Sequence, residues 1–174
     1  MKSDLIIVFT CPDRPGVVEH LTSVVVKHGG NWEESRLARL CGDFAGIARV
    51  SAADANVEQL SQELKSLAWP GLTLHVKSAE TQAHVPCAMA KLQCAGADHE
   101  GIVSRITAFL AKQKINVEEL STAVVPAPTT GTPVFQMSCL VGLPESIEYA
   151  EMVESLRELG RELAVDLTLD GQAL

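Results

Sequence analysis

The 174-residue sequence has no excess of positive charge. It carries 14 Lys and Arg against 22 Asp and Glu, a formal net charge of −8. Residues 1–85 hold 8 basic against 10 acidic side chains, and residues 86–174 hold 6 against 12. A surface that grips nucleic acid needs clustered Lys and Arg to displace counterions from phosphate, so direct nucleic-acid binding is not expected. The same balance argues against docking on an anionic membrane surface.

Long apolar runs are missing as well. No stretch approaches the ~18 apolar residues that would read as a membrane span. The apolar run near the N-terminus ends at Asp13 and Arg14, too soon for a signal peptide. The five cysteines, Cys11, Cys41, Cys87, Cys94 and Cys139, form no C-x-x-C and are odd in number. That pattern suggests single thiols in a reducing compartment, and a cytoplasmic protein is expected. His20, His28, His75, His84 and His99 show no metal-ligand spacing. Neither a G-x-S-x-G elbow nor a Walker loop occurs. No catalytic residue, metal or cofactor is therefore assigned, and the chain reads as non-enzymatic.

What the sequence does contain is a copy of itself. Shifted by 85 residues, Asp13 falls on Asp98, Gly16 on Gly101 and Asn31 on Asn116. Val17, Leu21, Val24 and Val25 fall on Ile102, Ile106, Phe109 and Leu110, and Glu33-Glu34 on Glu118-Glu119. After a short insertion in the second copy, Phe44 matches Phe135, and Leu60 and Leu64 match Met152 and Leu156. Shared punctuation together with shared apolar spacing indicates a duplication.

Each copy reads β-α-β-β-α-β. "LIIVF" suits a buried strand. Val17, Leu21, Val24, Val25 and His28 make one helical stripe, which "HGG" stops. Two runs flanking a tight turn at Gly42-Asp43 read as a hairpin. A second helix carries Val57, Leu60, Leu64 and Leu67, and "LTLHVK" alternates as a last strand. Two amphipathic helices need one sheet face, which gives an α+β fold of two ferredoxin-like units. Each is an antiparallel four-stranded sheet with both helices on one side. The expected domains are 1–78 and 87–174, joined by a polar linker over 79–86. "VVPAPTTGTPVF", Val124–Phe135, carries the insertion and is expected to project as an arm.

The junction Pro12-Asp13-Arg14-Pro15-Gly16 opens the first helix, where free N–H groups and the dipole favour an anion. Asn31 opens the next strand, and its amide can donate to a carboxylate or accept from an ammonium. Together they can hold a small zwitterion. The plainer reading gives Asp13 to helix capping, Gly16 to close helix–sheet packing and Asn31 to the turn. Glu33 and Glu34 are adjacent, so on a strand they are expected to face opposite ways.

"PDRPGVV", a helix, then "GGN" resembles the ACT-domain family, and "GADHEGIV" through "INVEEL" resembles a second unit of it. Within that family the tandem arrangement is similar to the glycine cleavage system transcriptional repressor group. The resemblance implies a regulatory protein that binds an amino acid at unit interfaces, with glycine a candidate. It implies a homo-oligomer, and a DNA-binding regulator as partner, since the chain lacks its own basic patch. It places ligand contacts at Asp13, Arg14, Pro15, Gly16, Gly30 and Asn31, and at Asp98, His99, Gly101 and Asn116. In the second copy His99-Glu100 replace Arg14-Pro15 and Ile115 replaces Gly30, which implies unequal binding by the two halves. The competing reading is an interaction module whose ligand loops are vestigial.

Overall fold

The computed structural model describes residues 1–79 and 87–171. The chain divides into two compact units, Met1–Ala83 and His84–Leu174. The first contains β1 (Lys2–Pro12), α1 (Val17–Lys27), β2 (Asn31–Leu40), β3 (Asp43–Ala53), α2 (Asp54–Ser66) and β4 (Thr73–Ser78). The second contains β5 (Ala88–Ala97), α3 (Ile102–Lys112), β6 (Asn116–Pro126), β7 (Pro133–Leu143), α4 (Tyr149–Leu163) and β8 (Val165–Gly171). The sheets have the orders β2-β3-β1-β4 and β6-β7-β5-β8, with every pairing antiparallel. These are two ferredoxin-like units. The linker expected over 79–86 lies, apart from Ala79, outside the described residues. The Ala79 amide donates to the Asp4 carbonyl, so the ladder of the first unit runs one residue past 78.

Alternation sets the core of each unit. Leu5, Ile7, Phe9 and Cys11 of β1 are buried and meet Val17, Leu21, Val24 and Val25 of α1 and Leu60 and Leu64 of α2. Each such aliphatic side chain contributes about 1.5–3 kcal/mol when taken out of water. In the second unit Leu92, Ile106, Leu110, Val141 and Leu156 hold the corresponding positions. Although "LIIVF" is apolar throughout, only alternate residues are buried. Both helices lie on one side, so Val8 points to the uncovered face and is 41% exposed.

One turn differs from expectation. The β2–β3 turn is Cys41-Gly42, at φ 50° and 93°, and Asp43 already pairs with Leu40. A two-residue turn with both φ positive matches the twist of the strands it joins, which fixes the turn one residue earlier than expected. The insertion of the second unit forms the exposed end of its hairpin. The β6–β7 ladder continues to Pro126–Pro133, and Ala127 N–H···O Thr132 (2.8 Å) and Gly131 N–H···O Ala127 (2.9 Å) close the loop. Among the described residues no helix is long and apolar enough to cross a membrane.

Candidate functional site

Strand β1 ends at Pro12 and α1 begins at Val17, so the first candidate loop bridges the sheet layer and the helix layer. Gly16 is the N-cap of α1, at φ 92° and ψ −3°. Gly101 repeats this before α3, at φ 93° and ψ −5°. These are left-handed conformations that glycine reaches without a Cβ penalty. A Cβ on either glycine would meet nothing within 4 Å. Conformation rather than crowding requires glycine here, so close helix–sheet packing does not explain it. Neither helix has a side-chain cap, which also removes Asp13 from the capping role. Both first turns present amide N–H groups at the positive end of the helix dipole.

Asp13 turns instead to the hairpin end. Its Oδ2 accepts from Arg39 Nε at 2.6 Å, and its amide donates to the Gly42 carbonyl at 2.9 Å. The rest of the loop leans on the α2–β4 connection. Pro12 crowds Gly71, where a Cβ would come within 2.5 Å of the proline ring. The Arg14 guanidinium lies over the Trp69 indole, 5.3 Å from its centroid, and His20 meets the same ring edge-on at 5.3 Å. Trp69 Nε1 is buried without a hydrogen-bond partner among the described residues. Pro15 is exposed beside these contacts.

The second unit latches its loop by other chemistry. His99 takes the place of Arg14. Its Nε2 lies 2.7 Å from the carbonyl of Leu163, the last residue of α4, and its Nδ1 lies 3.1 Å from the Glu100 carbonyl. Both partners only accept, so the ring satisfies both with a proton on each nitrogen. These carbonyls, Leu163 first, raise the His99 pKa above its ordinary value. The Asp98 amide donates to Pro133, and Val124 stands where the first unit has Arg39.

Asn31 and Asn116 are at the opposite end of each sheet. Asn31 pairs with Ser51, and Ser51 with Asp4, whereas Pro12 pairs with Asp43. The span from Asp4 to Pro12 is roughly 26 Å of strand. Helix α1 runs back along β1, so β2 starts beside the beginning of β1. A single unit therefore does not bring the loop and Asn31 to one small ligand. This corrects the expectation that they flank a zwitterion within one β-α-β unit.

Gly30 is explained by packing. A Cβ there would lie 2.9 Å from the Ser51 carbonyl oxygen and from Val25 Cγ1, and 3.0 Å from the Val25 carbonyl oxygen. Ile115, its counterpart, is buried in the second core.

Glu33 and Glu118 are the residues that sequence reasoning passed over. Each sits at a β-bulge, between Trp32 and Glu34 and between Val117 and Glu119. The added residue breaks the alternation. Glu33 accepts from Ser51 Oγ at 2.6 Å, and Glu34 lies 3.8 Å from Arg49. Ser51 and Arg49 share a face of β3, so the adjacent glutamates reach the same side rather than opposite sides. Ser51, then Asn31, hold the Glu33 carboxyl below its usual range. In the second unit Asn116 Nδ2 donates to Glu118 Oε1 at 2.6 Å. The retained N-x-E-E spacing in both copies is the signal that marks this corner. Among the described residues no group of His, Cys, Asp and Glu is arranged to hold a metal ion.

The sequence profile of the ACT domain matches residues 3–77. The glycine cleavage system transcriptional repressor of Escherichia coli (strain K12) is 28% identical over 162 residues, 91% of this chain and 85% of that protein. A UPF0237 protein of Methanopyrus kandleri is 36% identical over 73 residues, 41% of this chain and 74% of that protein. The solved structure of an unknown protein from Galdieria sulphuraria is 32% identical, with a TM-score of 0.86. It covers 99% of this chain and 100% of that one.

Proposed function

The chain belongs to the ACT-domain family, and from that premise we propose that it is a non-enzymatic regulatory protein that senses a small amino acid. One observation carries the reading. Both units present a helix N-terminus with a left-handed glycine, no side-chain cap and open space in front of it. Such an end suits a carboxylate, because amide N–H groups and the dipole act together. The loops are fixed by Arg14 on Trp69 and by His99 on Leu163, so the amides are pre-oriented before a ligand arrives. Asp13 Oδ1 is the atom an α-ammonium would meet. Asn31 and Asn116 do not reach the ligand at the loop of their own unit, since within one unit they are a strand length away.

Glycine is the first candidate ligand, by the name of the E. coli relative. Regulation of transcription then runs through a separate DNA-binding protein, because a net charge of −8 gives this chain no electrostatic hold on DNA. Titration calorimetry of the intact chain against the common amino acids is the test. Saturable binding is expected, weakened by Gly16→Val or Gly101→Val by ~1–3 kcal/mol, the cost of holding a non-glycine residue in the left-handed conformation that orients the amides. Absence of heat for every amino acid, or binding unchanged in both variants, would refute the reading and favour vestigial loops. Fluorescence anisotropy at low salt should show no saturable DNA binding by the chain alone.

A further inference from the structure

The uncovered faces of the two sheets are built to the same plan, and their central rows differ in chemistry. One row across the first sheet reads Arg36, Ile47, Val8, His75, each paired with the next. The corresponding row of the second reads Ser121, Ser138, Gln93, Thr168. A sheet face left to water is ordinarily polar, and in this row the second is. The first places Ile47, 46% exposed, beside Val8, 41% exposed, at its centre, under an open cavity of about 570 Å³. The contrast within one chain sets the first face apart as a contact surface.

We propose that a second copy of this chain covers that face, first sheet against first sheet, about a two-fold axis parallel to the strands. This inference is independent of the ligand reading. The strand order β2-β3-β1-β4 makes the face self-complementary under that operation. The axis sets β3 of one copy over β1 of the other, so Val8 meets Ile47 of the second copy and Ile47 meets its Val8. It also sets the β2 edge over the β4 edge. Glu34 and Lys77 end one row, joined through Arg49 and Ile6. Under the axis each therefore faces the other across the interface, twice. Arg36 meets the His75 imidazole in the same way.

The size agrees with a dimer. Four strands about 4.8 Å apart, six residues long in β4 and ten or eleven in the others, present roughly 500 Å² per copy where they overlap. The total of roughly 1,000 Å² reaches the lower limit for a specific interface. Sheets stacked face to face rotate by about 30°, which moves the edges by about 4 Å, within the reach of Glu and Lys side chains.

Sedimentation velocity of the full chain tests this, with far-UV circular dichroism confirming that each variant is folded. A concentration-dependent dimer is expected by about 10 µM. Ile47→Asp and Val8→Asp should each raise its dissociation constant at least about tenfold, as loss of a central anchor does. Ser138→Asp, at the matching position of the second unit, should leave association unchanged. Glu34→Lys should weaken the dimer, and adding Lys77→Glu should restore it. A wild-type chain that stays monomeric to ~100 µM would overturn the proposal. So would equal effects of Ser138→Asp and Ile47→Asp, or a Glu34→Lys/Lys77→Glu double variant no tighter than Glu34→Lys alone.

Discussion

Gly30→Ala separates a packing residue from a ligand contact. Gly30 has no positive φ, so alanine meets no backbone penalty there. The cost is steric. The new methyl would lie 2.9 Å from the Ser51 carbonyl oxygen and 3.0 Å from that of Val25. Neither oxygen can withdraw cheaply. Val25 O accepts the Gly30 amide at 2.9 Å, which closes helix α1, and Ser51 is fixed within the β3 ladder. Overpacking of this kind costs about 1–3 kcal/mol. For a unit of this size, each kcal/mol lowers the melting temperature by about 4–8 °C. The first unit should therefore melt roughly 5–20 °C lower, and the folded variant should bind an amino acid as the wild type does. The mirror experiment is Ile115→Ala in the second unit, where a buried side chain is removed and about 2–5 kcal/mol is lost to the cavity. Differential scanning calorimetry reads both. A Gly30→Ala chain with unchanged stability, within about 0.5 kcal/mol, and abolished binding would refute the packing account and return Gly30 to the ligand site.

Three further outcomes follow from named contacts. His99 has a folded pKa raised above its unfolded value of about 6.5, so its contribution to the second unit is full below that value and is lost as pH rises through the folded pKa. Scanning calorimetry at several pH values should show a fall in stability across that window that His99→Gln removes, and titration of His99 by NMR at or below its ordinary value would contradict the latch. Glu63 is held below the usual carboxylate range by Lys27 first and then His28, so the brace it makes between α1 and α2 persists above that range and is lost as pH falls through its lowered pKa. Acid unfolding of the first unit should shift on Glu63→Gln, and an unchanged acid limb would count against the brace. Burial, aided by Asp166, pushes the Cys94 thiol up to about 11, and burial also raises Cys139, whereas Cys41 is exposed at its turn. A thiol reagent at mild alkaline pH should label Cys41 first and reach Cys94 and Cys139 only as the second unit opens; early labelling of Cys94 would contradict its placement.

Much of the fold was legible because its determinants are local. Val17, Leu21, Val24 and Val25 recur at helical spacing, and the same stripe returns in the second copy, so element order and the helix-covered face followed from periodicity alone. The candidate site was less legible because its geometry depends on where chain ends meet. Asp13 and Asn31 are near in sequence, yet α1 carries the chain back along β1 and places them a strand apart. The Glu33 bulge was invisible for a related reason. Period-2 alternation is a rule for regular strands, and nothing in "NWEES" announces the extra residue until its ladder with β3 is known. The I′ turn at Cys41-Gly42 was missed by one residue because Cys41, not a usual left-handed residue, takes φ 50°.

The second unit shows which features the duplicated fold requires and which it does not. Gly16 and Gly101 keep the same left-handed geometry with open space in front, although nothing in the packing demands it. The latches behind them differ entirely, an indole under a guanidinium in one and an imidazole against a helix end in the other. A feature kept only for folding would be expected to keep its supports. Here the supports have been exchanged while the helix end they position is the same in both units. The Asp4–Arg49–Glu34 ion-pair network of the first unit has no such persistence, since Met89, Leu140 and Glu119 stand in its place. The presented helix N-terminus is thus one element held constant while the latches behind it vary.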